Sequence, residues 1–423
     1  MKRLFRFALV LSCFALVLSS CEEDQLTNST EVAPTSDLIP GSDEGDIIPD
    51  QYIFTFRSEV IKPAISYVDL EQVNSREEKI EQMEGFNLQV REQINAFLLR
   101  EGIGSEAVIA TYTALQAGVA LKLEEADYRR LSTNNDFEAV EHDRKVELPP
   151  FKVEEVFSAD AKNSQQTTCA VTRAGGSVNS PSNNRWIWII DSGIDLNHPD
   201  LNVVTNGTYA RSFVGGSPDD CNGHGTHVAG IAAARNNTIG ARGVSAGAPV
   251  VPVRVFGCSG GSATSTIVAA VNHVGTYSYS GDVTNMSLGG YYGGSCSSNT
   301  PYRNPVRSLG NSGNRVCIAA GNSGANSAFY APACVNGTRV YTVSSMTCGY
   351  GFSSFSNYNV NPVDYIAVGS SVYSTYKNGG YATLSGTSMA TPVVAGICHA
   401  RNNAPRSAGT IRNRGENYRV AVR

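Results

Sequence analysis

The chain has 423 residues, 41% hydrophobic and 17% charged, which gives room for two domains and a substantial core and excludes a disordered chain. Its formal charge of −5 combines two unlike parts: residues 21–165 hold 30 acidic against 13 basic side chains, and residues 166–423 hold 8 against 17. The bases of the second part are scattered and form no cluster interleaved with aromatics, which argues against nucleic acid as a partner.

Lys2, Arg3 and Arg6 precede an apolar run over residues 7–18 and then Ser19, Ser20 and Cys21, the layout of an export signal whose core is too short to span a bilayer stably. Leu18-Ser-Ser-Cys21 resembles the bacterial lipobox, so residues 1–20 are expected to be removed and Cys21 lipidated, leaving the exported chain anchored to a bacterial membrane or extracellular after processing. Residues 21–49 are rich in Asp, Glu, Ser, Thr and Pro and read as a flexible tether. Residues 50–145 read as a small α+β domain. A strand at 52–57 is followed by a helix with apolar Ile80, Met83, Val90, Ile94, Phe97 and Leu98. Strands at 108–112 and 119–123, a helix at 124–131 and a strand at 137–140 complete a ferredoxin-like order. Residues 146–168, with Pro149-Pro150, read as a processing linker.

From residue 169 to 423 the pattern becomes strands alternating with helices. Apolar runs at 186–190, 250–255, 283–286, 315–319, 340–344 and 365–368 are separated by helical stretches that include 224–234, 264–274 and 388–398. This predicts an α/β fold, a parallel sheet with helices on both faces and active residues where strands end. All eight cysteines after Cys21 fall in this part, an even number that suggests disulfides in an exported chain, with 105 possible pairings. No C-x-x-C pair occurs, which argues against a zinc ribbon.

Four polar residues stand where such a fold gathers its chemistry. Asp191 follows the run 186–190 directly, so its carboxylate can be partly buried and still reach a neighbour. His224 lies between glycines in Cys221-Asn-Gly-His-Gly-Thr-His227. His224 and His227 lack the intervening Glu and the third ligand that a zinc pair needs. Asn322 follows the run in Cys317-Ile-Ala-Ala-Gly-Asn322 and offers side-chain N–H groups to a developing oxyanion. Ser388 opens an apolar helix, whose unpaired N–H groups and positive dipole end favour an oxygen that becomes negative. Pro392 is expected in the first turn of that helix, where a missing N–H costs little. A carboxylate to orient an imidazole, an imidazole to take a serine proton and donors for the oxyanion form one working set.

The segments Ile190-Asp-Ser-Gly-Ile-Asp195, Asn222-Gly-His-Gly-Thr-His227 and Gly386-Thr-Ser-Met-Ala-Thr-Pro392 resemble the catalytic signatures of the subtilisin family of serine proteases, in the chain order known for that family. The resemblance implies a subtilisin-like sheet preceded by the small α+β domain. It also implies an endopeptidase made as a self-processing precursor that works through an acyl-enzyme on Ser388, with no cofactor required. Ser287, Leu288 and Gly289 would pair with the substrate backbone, Gly260 and Gly261 would form the opposite edge, and Ala319, Ala320 and Gly321 would line the pocket before the cut. Residues 50–145 resemble the family's inhibitory propeptide, and the opposite charges of the two parts are expected to favour its docking.

Asp220-Cys-Asn-Gly-His-Gly with Cys258-Ser-Gly-Gly resembles the proteinase K-like, aqualysin-type branch. That implies disulfides Cys221–Cys258 and Cys334–Cys348, leaving Cys169, Cys296, Cys317 and Cys398 as buried thiols or further bridges. Structural calcium is a family expectation for which Asp219 and Asp220 are the candidates. The expected partners are extended polypeptides, the chain's own propeptide and a membrane reached through Cys21, with the protein a monomer. The alternative is a surface peptide-binding protein that keeps the groove without turnover. The departure from the family is at residues 401–423, which are polar where another packed helix is common.

Overall fold

The computed structural model describes residues 47–63, 73–158, 164–180, 184–293 and 301–423. The signal, the lipidation expected at Cys21, most of the tether and Cys296 lie outside them. Among the described residues no helix is long and apolar enough to cross a membrane.

The N-terminal elements are β1 (Ile47–Phe56), α1 (Arg76–Arg100), β2 (Val108–Tyr112), β3 (Gly118–Lys122), α2 (Glu125–Ser132) and β4 (Phe137–Glu147), in the expected strand and helix order. The strands pair antiparallel as β4-β1-β3-β2. Helix α1 starts at Ser75, whose hydroxyl accepts from the Glu78 N–H, and buries Met83, Phe86, Val90, Ile94 and Phe97 on one face. Phe97 meets Phe56 and Phe137 edge-on at ring separations of 5.0 and 5.4 Å. β4 runs past its expected end at 140 because Lys145 to Glu147 pair with the strand Gly261–Ala263. The expected linker at 146–168 also contains a strand, β5 (Lys152–Phe157), paired antiparallel with Tyr381–Ser385.

In the second part the sheet order is Arg406–Asn413, Glu416–Val422, Val363–Val368, Val340–Met346, Arg315–Ala319, Val283–Met286, Ile187–Asp191, Pro249–Arg254 and Asn202–Val203. Every neighbouring pair is parallel except the hairpin formed by the first two strands. The helices are α3 (Cys169–Arg173), α4 (His224–Ala233), α5 (Thr264–Tyr277), α6 (Arg303–Asn311) and α7 (Thr387–Arg401). Strand residues alternate between two cores as a period of two requires: Ile187 and Ile189 meet the side of α4 and α7, Trp188 and Ile190 the side of α5 and α6. The apolar interior of the N-terminal domain is continuous with the second of these cores. Residues 401–423, polar as they are, finish the sheet as a hairpin with Tyr418 and Val420 buried.

One buried ion pair of the N-terminal domain runs against the gross charges, joining Arg76, from the acidic part, to Asp282, from the basic part. The two ends of α5 are also served from the N-terminal domain. Asp143 accepts from the Ser265 N–H and hydroxyl in the first turn, and the Lys79 ammonium donates to the Gly275 and Ser278 carbonyls at the last. An acid and a base at those ends match the helix dipole. Net charge acts through screening water, whereas close docking is decided by the few pairs that lose their water.

Cys221 and Cys258 are bridged as expected. The expected Cys334–Cys348 bridge is absent: Cys348 is bonded to Cys169. Cys334 is itself disulfide-bonded. Cys317 and Cys398 are buried free thiols. Cys169–Cys348 closes a separation of 179 residues and Cys221–Cys258 one of 37. Loop-closure entropy then predicts that replacing Cys169 and Cys348 by serine costs about 1.4 kcal/mol more stability than the same change at Cys221 and Cys258. Urea unfolding of both double variants, in a Ser388→Ala background that prevents self-digestion, measures the difference.

Candidate active site

The first strand of the parallel sheet, Ile187–Asp191, has Pro249–Arg254 on one side and Val283–Met286 on the other. The chain therefore reverses its direction of winding there and opens a crevice at the strand ends. Asp191 ends that strand and His224 opens α4 beside it. Their contact is short, with His224 Nδ1 2.7 Å from Asp191 Oδ1, and both side chains are fully buried. A side chain at position 225 would forbid this approach, since a Cβ there would lie 2.1 Å from the Gly193 carbonyl oxygen. His224 Nε2 and Asp191 Oδ2 are buried without a hydrogen-bond partner.

The first turn of α4 is held by Asp220, which accepts from the Ser192 and Thr226 hydroxyls and from the N–H groups of Asn222, Gly223 and Thr226. Burial pushes the Asp220 carboxyl above its ordinary range and these donors pull it back. Asp219 Oδ1 accepts from the Leu196 N–H. Asp220 thus fits a helix-positioning role and not the cation role considered for it from sequence. Among the described residues no three His, Cys, Asp or Glu side chains gather as a metal site. His227 donates from Nε2 to the Val372 and Ala382 carbonyls, and burial lowers its pKa to about 3, so it is a neutral core residue.

Ser388 is the second residue of α7, and its hydroxyl donates to the Ser287 carbonyl at 3.4 Å and not to His224. Pro392 lies inside α7, which starts at Thr387, and not in its first turn as expected; even from a start at Ser388 it would be the fifth residue. The lost N–H would have bonded the Ser388 carbonyl. That carbonyl instead accepts from the Ser287 hydroxyl at 2.9 Å, which ties the serine's backbone to the Val283–Met286 strand end.

Asn322 is oriented by Thr387, whose N–H and hydroxyl donate to Asn322 Oδ1 at 2.8 and 2.7 Å. Its Nδ2 is thereby aimed outward and donates to the Pro150 carbonyl at 2.7 Å. The Phe151 ring packs on the His224 imidazole with centroids 4.8 Å apart. A peptide bond inside the linker expected at 146–168 therefore lies between Asn322 and His224; which bond of the linker it is had no local sequence signal.

The same strap fills one predicted substrate edge: the Leu148 N–H donates to the Gly260 carbonyl and Glu147 pairs with Gly261. On the opposite edge Leu288 is buried in the core, and neither Pro149 nor Pro150 has an N–H to give to Ser287 or Gly289. Ala319 ends its strand, Ala320 donates to the Val343 carbonyl, and Gly321, at φ +105°, turns the chain toward Thr387. Asn357 Nδ2 stands 2.3 Å from where a Cβ of residue 321 would be.

The Subtilase family profile matches residues 182–403. The extracellular serine proteinase of Thermus sp. (strain Rt41A) is 32% identical over 392 residues, 90% of this chain and 86% of its own length. Thermitase of Thermoactinomyces vulgaris is 39% identical over 232 residues, 55% of this chain and 79% of its own. The crystal structure of a cold adapted subtilisin-like serine proteinase superposes with a TM-score of 0.50 at 31% identity, covering 60% of this chain and 97% of that one. On these likenesses and on its parallel α/β sheet, the chain belongs to the subtilase family and is an exported serine-type endopeptidase.

Proposed function

We propose that Ser388 is the nucleophile, His224 the general base and then acid, Asp191 the carboxylate that orients and stabilises the imidazole, and Asn322 with the Ser388 N–H the oxyanion donors. Serine Oγ bonds to the peptide carbon as its proton passes to His224 Nε2 and the carbonyl pair moves to oxygen. His224 then protonates the leaving amine, and water repeats the sequence on the acyl-enzyme. The 2.7 Å Asp191–His224 contact and the unpaired Nε2 support these roles. In this reading the Ser388 hydroxyl turns from the Ser287 carbonyl toward His224 Nε2 when it reacts.

The chain is also its own first substrate in this reading. The observation that carries it is the Pro150 carbonyl on Asn322 with Phe151 against His224. The strap is held on both sides of that bond, by β4 on Gly261–Ala263 and by β5 on Tyr381–Ser385. This supports residues 50–145 as an intramolecular inhibitor and 146–168 as the processing region. The match to the Thermus proteinase over 90% of this chain supports a shared precursor layout. The expected result is a wild-type N-terminus at Phe151 and a Ser388→Ala chain that stays uncut there. An N-terminus outside 146–168, or cutting of the variant, would overturn the self-processing reading.

The Cys221–Cys258 bridge supports the proteinase K-like branch. Lipid anchoring at Cys21 is tested by metabolic labelling with a fatty acid, which Cys21→Ser should abolish.

A further inference from the structure

The peptidase part holds one arginine of the N-terminal domain in a built pocket. Arg76 Nη1 donates to Asp282 Oδ2 at 2.8 Å and to the Tyr277 carbonyl at 3.0 Å. Its Nη2 donates to Asp282 Oδ1 at 2.9 Å and to the Asn184 carbonyl at 3.0 Å. The guanidinium carbon lies 3.7 Å from the centre of the Trp186 ring. Four donated bonds in one plane, with a ring over one face, fit a guanidinium fork and not an ammonium.

All of these partners belong to the peptidase part, and Asp282 does not depend on Arg76 for its position. Oδ1 also accepts from the Trp186 N–H at 2.9 Å, and Oδ2 from Trp188 Nε1 at 2.8 Å and the Tyr279 N–H at 3.0 Å. Asp282 and Trp186 stand just before the parallel strands Val283–Met286 and Ile187–Asp191, whose far ends carry Ser287 and Asp191. The pocket is therefore separated from the catalytic end by a strand's length, roughly 15 Å. Cutting the strap and releasing the N-terminal domain would take Arg76 away and leave the pocket open.

We propose that this pocket is a second binding site of the processed enzyme, selective for a guanidinium, and that it takes an arginine side chain of a polypeptide. This rests on the reading that the N-terminal domain is removed. The best-fitting occupant carries a second base one helical turn after the arginine, as Lys79 follows Arg76 and reaches the Gly275 and Ser278 carbonyls.

Both tryptophans of the chain, Trp186 and Trp188, donate to Asp282, so intrinsic tryptophan emission reports on this pocket. The probe is ethylguanidinium, with ethylammonium at equal ionic strength as control. In a full-length Arg76→Ala, Ser388→Ala chain, where no processing is needed to empty the pocket, ethylguanidinium should change the emission saturably and bind at least tenfold more tightly than ethylammonium. The Ser388→Ala chain that keeps Arg76 should show no saturable change. An equal response to both probes, or none in the Arg76→Ala chain, overturns the pocket.

The second measurement uses processed wild-type enzyme, checked by intact mass and silenced with a serine-directed fluorophosphonate. It should give the same saturable response, and this arm decides if the Arg76→Ala chain does not fold. A peptide of residues 73–100 should compete with ethylguanidinium, and its Arg76→Lys form at least tenfold less well. No response in the processed enzyme overturns the second site. A wild-type chain that stays full length overturns the precursor reading and the open pocket with it, while the Arg76→Ala titration still judges the pocket itself.

Discussion

Replacing Ser388 by alanine is expected to leave a folded chain that hydrolyses casein roughly 10⁶-fold more slowly in kcat, the magnitude established for the corresponding serine of a subtilisin. The loss belongs to the chemistry and not to the fold. The hydroxyl makes one long bond, 3.4 Å to the Ser287 carbonyl, so its removal costs no more than about 1 kcal/mol of stability. The backbone at Ser388 stays fixed by its neighbours, since the Ser287 hydroxyl holds the carbonyl that Pro392 leaves unpaired. His224→Ala should cost about as much, and the double variant little more, because the two groups act as one unit. Casein hydrolysis and thermal unfolding of wild type and the three variants, each made by coexpressing residues 21–150 and 151–423 as separate chains so that no variant depends on its own cut, read this, and a Ser388→Ala protein within tenfold of wild type would refute the assignment.

Asn322→Ala should lower kcat by about 10²–10³-fold, equal to about 2.7–4 kcal/mol, with KM nearly unchanged; this magnitude too comes from a subtilisin oxyanion donor. The donor is aimed before any substrate arrives, because both Thr387 donors grip Oδ1 and leave Nδ2 pointing at the Pro150 carbonyl. Thr387→Val removes one grip and keeps the other, so a loss of only about tenfold is expected from less faithful aim. Steady-state kinetics on a peptide anilide separates kcat from KM. A rise in KM at constant kcat would mean that Asn322 binds substrate and does not stabilise the oxyanion.

Much of the candidate site was legible because its signals are local. Asp191, His224 and Ser388 each lie at a junction of strand or helix with small residues, where chain direction and helix ends put polar groups within reach of one another. The N-terminal order of strand, helix, strand, strand, helix, strand followed from periods of two and 3.6 in the apolar residues. The C-terminal hairpin had a signal too, the alternation of Tyr418 and Val420, but its polar setting hid it. The place of Pro392 was misjudged although the helix start was within one residue, because the fifth position from Ser388 is already past the first turn.

Other features had no local signal at all. Cys348 meets Cys169 and not Cys334 because the fold brings the start of α3 and the turn at Cys348 together across 179 residues. Asp282 takes Arg76 from 206 residues away, against the net charge of both parts, because a desolvated pair at short range outweighs a screened field at long range. The Pro150–Phe151 bond reaches Asn322 and His224 because β4 and β5 are pinned to different strands on either side of it. By itself the sequence picked out the candidate groups and the elements that carry them, since both depend on neighbours in the chain. The tertiary structure decided which distant groups meet, because strand order and register are settled by the packing of the whole core.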